Sequence, residues 1–352
     1  MNQNAIKGLL IILVMFDHNE YAHQLFPVAL QGFAFHVLGF LALPFLRPPE
    51  AVSQAYFQKI LFRYYYPFFL ITCAMSILTM VITGNVSLSG FENLLLALYS
   101  GNNDILKSVT QMALLWFLPS FLSVLLIRKF LGNHSYFLQR LTLVLFIAAH
   151  FFIADVAIQI RNYLPLGLLP AIYAIPLCYI AVFFNKTICR LLAPIPAVII
   201  SVCFFLVVKY FQMRLGLSQE LGFAEVSDFS DPLGLLINDL EAVSGVLMLF
   251  QIARLKLPSF LEKCGDNSLQ VYLIHPFIAL FVFKALEKLA PQANPTILLF
   301  ISILPTIWLS VTSAKIVMGN KLLRQFLFPK DYDAFTQKRD DDDDDAAVRS
   351  KP

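Results

Sequence analysis

Hydrophobic residues run almost unbroken through ten stretches of the chain: roughly 5–24, 26–46, 64–83, 108–127, 141–160, 163–184, 191–208, 232–253, 268–289 and 296–318. Each is close to the ~20 mostly apolar residues that a helix needs to cross a bilayer. A membrane β-barrel would instead show ~10-residue segments of alternating polarity. The pattern therefore predicts an all-α polytopic membrane bundle of about ten transmembrane helices. No internal repeat of the kind many transporters carry is visible. The stretches 84–107 and 209–231 are the longer predicted outer loops, the second of them acidic, with Glu220, Glu225, Asp228 and Asp231.

Charge orients this bundle. With the N-terminus in the cytoplasm, only Lys107, Arg161, Lys209, Arg214, Lys284 and Lys288 of the 26 Lys and Arg fall outside. That is the expected excess of positive charge on the inner side. It places both termini inside and requires an even number of spans. Residues 1–325 then form a membrane-embedded domain, and 326–352 a charged cytoplasmic tail. The tail carries six Asp from Asp340 to Asp345, which repel one another and cannot pack, so it is expected to be disordered. The first residues do not read as a cleaved signal. The apolar run from Gly8 to Phe16 is short, and Asp17-His18-Asn19-Glu20 follows it without a small-x-small site.

Composition agrees. The chain is 58% hydrophobic and only 14% charged, against about 25% charged in soluble domains. Too few charges remain to coat a soluble globule, which excludes an ordinary soluble enzyme and a disordered protein. The net charge of +3 gives no reason to expect nucleic acid. Cys73, Cys178, Cys189, Cys203 and Cys264 are scattered without a CxxC, so they read as small core residues rather than disulfides or metal ligands.

Ionisable residues within membrane spans are costly and mark function. Lys7 and His18, on the first predicted helix, are eleven residues apart. That spacing puts them within ~20° of one face and ~16 Å apart along the axis. A cation at the inner surface and an imidazole near the midplane suit a long anionic donor such as acyl-CoA. His36 and His275 fall at similar depths in the second and ninth spans. Ser268, Tyr272 and His275 share a face at i, i+4 and i+7. Asp17 is about 100° round the helix from His18, poorly placed as its partner. His18 to His23 is not an HExxH zinc motif, because the two histidines are five apart. No metal is expected. His23, His134 and His150 carry no motif and read as structural, and Asp239 with Glu241 forms an acidic pair without an assigned role.

These residues resemble a known family. Lys7-x10-His18 is similar to the Lys/Arg-x10-His motif of acyltransferase family 3, the integral-membrane O-acyltransferases that modify bacterial glycans. Phe35-His36-Val37 with Gly39-Phe40 resembles that family's Phe-His segment. Lys59-x3-Arg63-x3-Pro67 resembles its basic stretch before the third helix, and Leu115-Trp116-Phe117-Leu118-Pro119 the Trp-Phe-Leu segment of the fucose 4-O-acetylase-like branch. Asn267 to Pro276 resembles its Ser-x3-Tyr-x2-His signature. The motifs follow family order across most of residues 5–318. The chain departs from the family pattern after the Phe-His segment, where Phe40-Leu41-Ala42-Leu43-Pro44 replaces a common Ser-Gly pair.

The resemblance implies a membrane O-acyltransferase, most simply an O-acetyltransferase, in a bacterial inner membrane. It would move an acyl group from cytoplasmic acyl-CoA to a sugar hydroxyl of a surface polysaccharide or lipid-linked glycan. No bound cofactor is implied. His18 would act as general base or carry the acyl group transiently. Lys7, Lys59 and Arg63 would clamp the donor phosphates, and Trp116, Tyr272, His36 and His275 would contact donor or acceptor. Bland readings stand beside these: a helix-packing histidine, positive-inside anchors, and a packing tryptophan. A different class is also open, a non-enzymatic glycan exporter or proton-coupled transporter. Oligomeric state is open as well.

Overall fold

A computed structural model of the chain describes residues 2–30, 35–46, 53–84, 86–132, 140–145, 148, 163–216, 232–290 and 292–329. Most of the predicted span 141–160, the acidic loop 217–231 and nearly all of the tail lie outside these residues, as do His134 and His150. Regular structure among the described residues is helical, with no strand.

In chain order the helices are α1 (Gln3–Asp17), α2 (Glu20–Leu25), α3 (Pro27–Leu30), α4 (Phe35–Ala42), α5 (Gln54–Ile60), α6 (Tyr66–Thr83), α7 (Leu88–Ser100), α8 (Asn103–Thr110) and α9 (Phe117–Gly132). They continue with α10 (Leu168–Leu191), α11 (Pro194–Arg214), α12 (Pro232–Ile252), α13 (Ser259–Asp266), α14 (Ser268–Leu289), α15 (Pro295–Gly319) and α16 (Lys321–Leu327). A π-helical segment, Leu61–Tyr65, joins α5 to α6, and 3-10 turns occupy Leu43–Leu46 and Ala113–Trp116.

Among the described residues, seven helical stretches are long and apolar enough to cross a membrane: Gln54–Thr83, Leu114–Gly132, Leu168–Thr187, Pro194–Arg214, Leu233–Ile252, Ser268–Leu289 and Pro295–Gly319. They correspond to the third, fourth and sixth to tenth predicted spans. Phe300, Leu304 and Trp308, four residues apart on α15, are exposed, as a lipid-facing stripe requires. The first predicted span is not one continuous helix. α1 stops at Asp17, and Asn19 starts α2 by accepting the N–H groups of Tyr21 and Ala22. A side chain that satisfies a new first turn in this way ends one helix and begins another. Of the second predicted span, α3, α4 and the 3-10 turn Leu43–Leu46 lie among the described residues.

The chain divides into two compact units. The first holds the described residues among 1–49, 134–161 and 169–315, and the second those among 50–133, 162–168 and 316–352. In the first, α1 packs against α13, α4 and α14, while α12 packs against α11 and α4. The α1–α13 contact is backbone to backbone. A Cβ on Gly8 would lie 1.8 Å from the Leu261 carbonyl oxygen, and one on Gly265 would lie 1.8 Å from that of Asn4. Glycine is what permits this approach. Two side-chain bonds fix the register: Asn2 Nδ2 donates to Glu262 Oε1 at 2.6 Å, and Asn4 Nδ2 to Asp266 Oδ1 at 2.8 Å. α10 is tied to α12 by Gln251 Nε2 donating to Asn185 Oδ1 at 2.8 Å.

In the second unit α6 packs against α7 and α8, and the π-helical segment packs against α9. Ile60, Leu122 and Leu125 form a buried cluster there, and the Lys129 ammonium lies 3.9 Å from the Tyr56 ring centroid. The turn before α10 is anchored to α7 by Leu166 N–H donating to Tyr99 O at 2.8 Å.

Because the Gly8 and Gly265 contacts meet backbone rather than flexible side chains, Gly8→Ala and Gly265→Ala are each expected to cost about 1–3 kcal/mol through overpacking. Both should lower the apparent melting temperature of the purified protein in detergent. Gly319→Ala, with open space around its Cβ position, is the control and should leave it unchanged.

Candidate active site

The candidate site is built on the break after α1. The amide N–H of His18 still donates to Val14 O at 3.1 Å, but its own backbone (φ −92°, ψ 11°) has left the helix. Asn19 is extended. Its Oδ1 holds the start of α2, and its Nδ2 donates to Ser302 Oγ of α15 at 2.7 Å. The expected shared face of Lys7 and His18 is corrected accordingly. Lys7 is half-buried on α1, but His18 sits just past the last helical residue, so the helical angle between them no longer applies.

His18 is exposed, whereas His275, in the second turn of α14, is completely buried at 0%. Their rings are nearly parallel, 22° apart in plane, with centroids 6.0 Å apart. His275 Nδ1 is 2.7 Å from the carbonyl oxygen of Tyr272. A carbonyl only accepts, so Nδ1 carries the proton of this bond. His275 Nε2 is buried and has no hydrogen-bond partner among the described residues. Tyr272, also buried, has its ring centroid 5.9 Å from that of His275.

His36, buried on α4, places Nε2 3.7 Å from Asp17 Oδ2 at the end of α1. The residue set aside as a partner for His18 thus faces a different histidine. Spacing along one helix carries no signal for a contact between two helices. His23, taken as structural, bonds through Nε2 to the Asp17 main-chain oxygen. His18 lies within electrostatic range of His275, His36 and His23, and Asp17 within range of Lys209.

Lys209 is a correction. The sequence put it at the start of an outer loop, whereas the structure keeps it within α11, buried, with Nζ 3.7 Å from Oε1 of the fully buried Glu241 on α12. The next rung joins the Gln212 side-chain amide to Asn238 Oδ1. Asp239 accepts the Tyr173 hydroxyl hydrogen at 2.7 Å. The acidic pair without an assigned role therefore has partners on two neighbouring helices.

The remaining sequence candidates belong to the second unit. Lys59 is exposed on α5. Arg63 is exposed in the π-helical segment, with its guanidinium carbon 5.7 Å from the Tyr64 ring centroid. Trp116 is largely buried at the end of its 3-10 turn, and its carbonyl accepts the Ser120 hydroxyl at 3.0 Å. The structure thus gathers His18, His36, Tyr272 and His275 in the first unit, with Asp17, Lys209 and Glu241 nearby. Among the described residues no group of three or more His, Cys, Asp or Glu is arranged to hold a metal ion.

No protein-family model, curated protein or solved structure matches this chain. Chemically, an accessible imidazole beside a buried one can take up a proton or an acyl group, and the carboxylate–imidazole contact next to it can hold a second proton.

Neutralising one partner of a buried ion pair takes from the other its counter-charge on the facing helix, which costs about 3–5 kcal/mol. Glu241→Gln is therefore expected to depress folded yield and thermal stability sharply. The double variant Lys209→Met, Glu241→Leu should recover most of that loss, as read by detergent-solubilised melting of matched membranes.

Proposed function

We propose that this chain is a membrane O-acyltransferase that moves an acyl group, in the simplest case acetyl, from acyl-CoA to a sugar hydroxyl of a surface or lipid-linked glycan. The observation that carries the reading is the exposed His18 ring lying against the buried His275 ring. Acyl transfer to a hydroxyl needs a group that removes the hydroxyl proton as the oxygen attacks. Imidazole does this near neutral pH with little tuning. A membrane bundle supplies it from inward-facing side chains next to a space the substrates can enter.

The length of α1 suits a long donor. Lys7 lies eleven residues before His18, about 16 Å along the axis of α1, so phosphates held near Lys7 leave the pantetheine arm to reach His18. With the N-terminus in the cytoplasm, as the Lys and Arg bias favours, the donor enters from inside. For Lys59 and Arg63 as phosphate contacts, and Trp116 along a substrate passage, the support is the motif resemblance alone. His36, Tyr272 and His275 line the reacting end. The family resemblance of the motifs supports a bacterial inner membrane as the setting.

A second reading is favoured by one observation, the buried Lys209–Glu241 pair within electrostatic range of Asp17. Buried charges of this kind also serve proton coupling in transport. A glycan exporter or proton-coupled transporter would use them without acyl chemistry.

Mass spectrometry of surface glycans separates the two. Cells with no copy, the wild-type chain, or His18→Ala at matched membrane abundance are compared. Acyl groups present only with the wild type are the expected result. Identical acylation in all three, with a change only in the amount of surface glycan, would overturn the acyltransferase in favour of export.

A further inference from the structure

We infer that His275 is a positioning residue for His18: its Nε2 accepts the N–H of the His18 ring and thereby sets which His18 nitrogen faces the substrate. The inference rests on the acyltransferase reading and assigns the proton traffic within it.

Three observations carry it. First, the tautomer of His275 is set by the chain itself. Its Nδ1 is 2.7 Å from the Tyr272 carbonyl oxygen. That oxygen has no proton to give, so in the neutral ring Nε2 is left as the lone pair. Secondly, that lone pair is fully buried and without a hydrogen-bond partner among the described residues. Buried acceptors are rarely left so, and an orphan at a site calls for a donor. Thirdly, the His18 ring is the neighbouring group that can supply one. Two imidazoles joined by a linear N–H···N bond of about 2.9–3.0 Å have ring centroids about 5 Å apart; here they are 6.0 Å apart. Closing the bond takes about 1 Å of approach and a turn of the stacked His18 ring that brings its N–H into line with Nε2. His18 is free to make it, because its side chain is exposed and its backbone has left α1. Catalytic hydrogen bonds are often long without substrate and tighten when it binds.

The order of groups is then the Tyr272 carbonyl, His275, His18 and substrate. A base held by a third group is the general logic of activated hydroxyls. The nitrogen of His18 that faces His275 keeps its proton throughout. The other nitrogen takes the proton of the acceptor hydroxyl as the hydroxyl oxygen bonds to the thioester carbonyl carbon. The C–S bond then breaks, and the departing thiolate takes that proton back from His18. His275 gains and loses none.

Two substitutions divide the ring of His275 in half. In His275→Asn the side-chain amide can still donate to the Tyr272 carbonyl, but nothing occupies the place of Nε2. In His275→Gln the amide oxygen reaches that place and can accept from His18. Membranes from cells carrying each full-length variant are given radiolabelled acetyl-CoA, and label in their own glycans is followed. The expected result for Asn is a fall in kcat of about 100-fold, with KM for acetyl-CoA within about 2-fold of the wild type. Gln should recover at least about 10-fold over Asn. In a His18→Ala background, His275→Asn should cost nothing more, because residues acting as one unit are not additive. With the wild type active, an Asn variant at the wild-type rate overturns the inference. So does a Gln variant no better than Asn, or a further loss in the His18→Ala background. A wild type that transfers no label overturns the acyltransferase reading itself, and this inference with it.

Discussion

A backbone that leaves the helix inside a packed bundle must have its polar groups satisfied by neighbouring side chains, because a buried N–H or C=O without a partner is costly. In this chain that constraint falls on Asn19. Its side-chain oxygen takes the first free N–H groups of α2, and its side-chain nitrogen is held by Ser302 on α15. Without such a residue, the run from Gln3 to Leu25 would favour one continuous helix. His18 would then point wherever the helical repeat put it. With the break, His18 sits between two helices, and its ring is stacked 6.0 Å by centroid from that of His275. The reacting group of the proposed site is therefore positioned by a cap rather than by helical phase.

The height of that break relative to α14 is fixed elsewhere. The glycine contact between α1 and α13 allows essentially one depth of approach, and the Asn2–Glu262 and Asn4–Asp266 bonds allow one register. α13 ends at Asp266 and α14 begins at Ser268, so docking α1 on α13 also determines where α14 starts. His275 follows two turns later. One interface at the N-terminal end of α1 thus sets the separation of two histidines at its far end. Close packing of this kind transmits a displacement instead of absorbing it.

Much of the membrane architecture was legible in the one-dimensional pattern. Seven predicted spans coincide with long apolar helices because a continuous run of that length has few other solutions. The first did not survive as a single helix, since hydropathy averages over Asp17 to Glu20 and does not recognise Asn19 as a cap. The candidate site was half legible. His18, His36 and His275 stood out as ionisable groups in apolar runs, and the structure gathers them. Their partners were not visible. Asp17 meets His36 across two helices, and Lys209 meets Glu241 likewise. A lysine near the end of an apolar run also reads by default as an interfacial anchor. Only the opposed face of α12, with Asn238 and Glu241 spaced to meet Gln212 and Lys209, makes it a buried partner.

The distribution of charge around the histidines follows from the cost of burying ions. A carboxylate placed directly behind His18 would orient the imidazole strongly, but it would have to be stripped of water in a region of low dielectric. Asp17 sits next to His18 in sequence and still turns its carboxylate towards His36, within electrostatic range of Lys209. Behind His18 stands a neutral series instead, a main-chain carbonyl and the buried His275 ring. A neutral acceptor can still hold one tautomer of His18, and it adds no ion to the buried interior. Lys209 and Glu241 face each other across α11 and α12, and Asp17 lies within electrostatic range of Lys209.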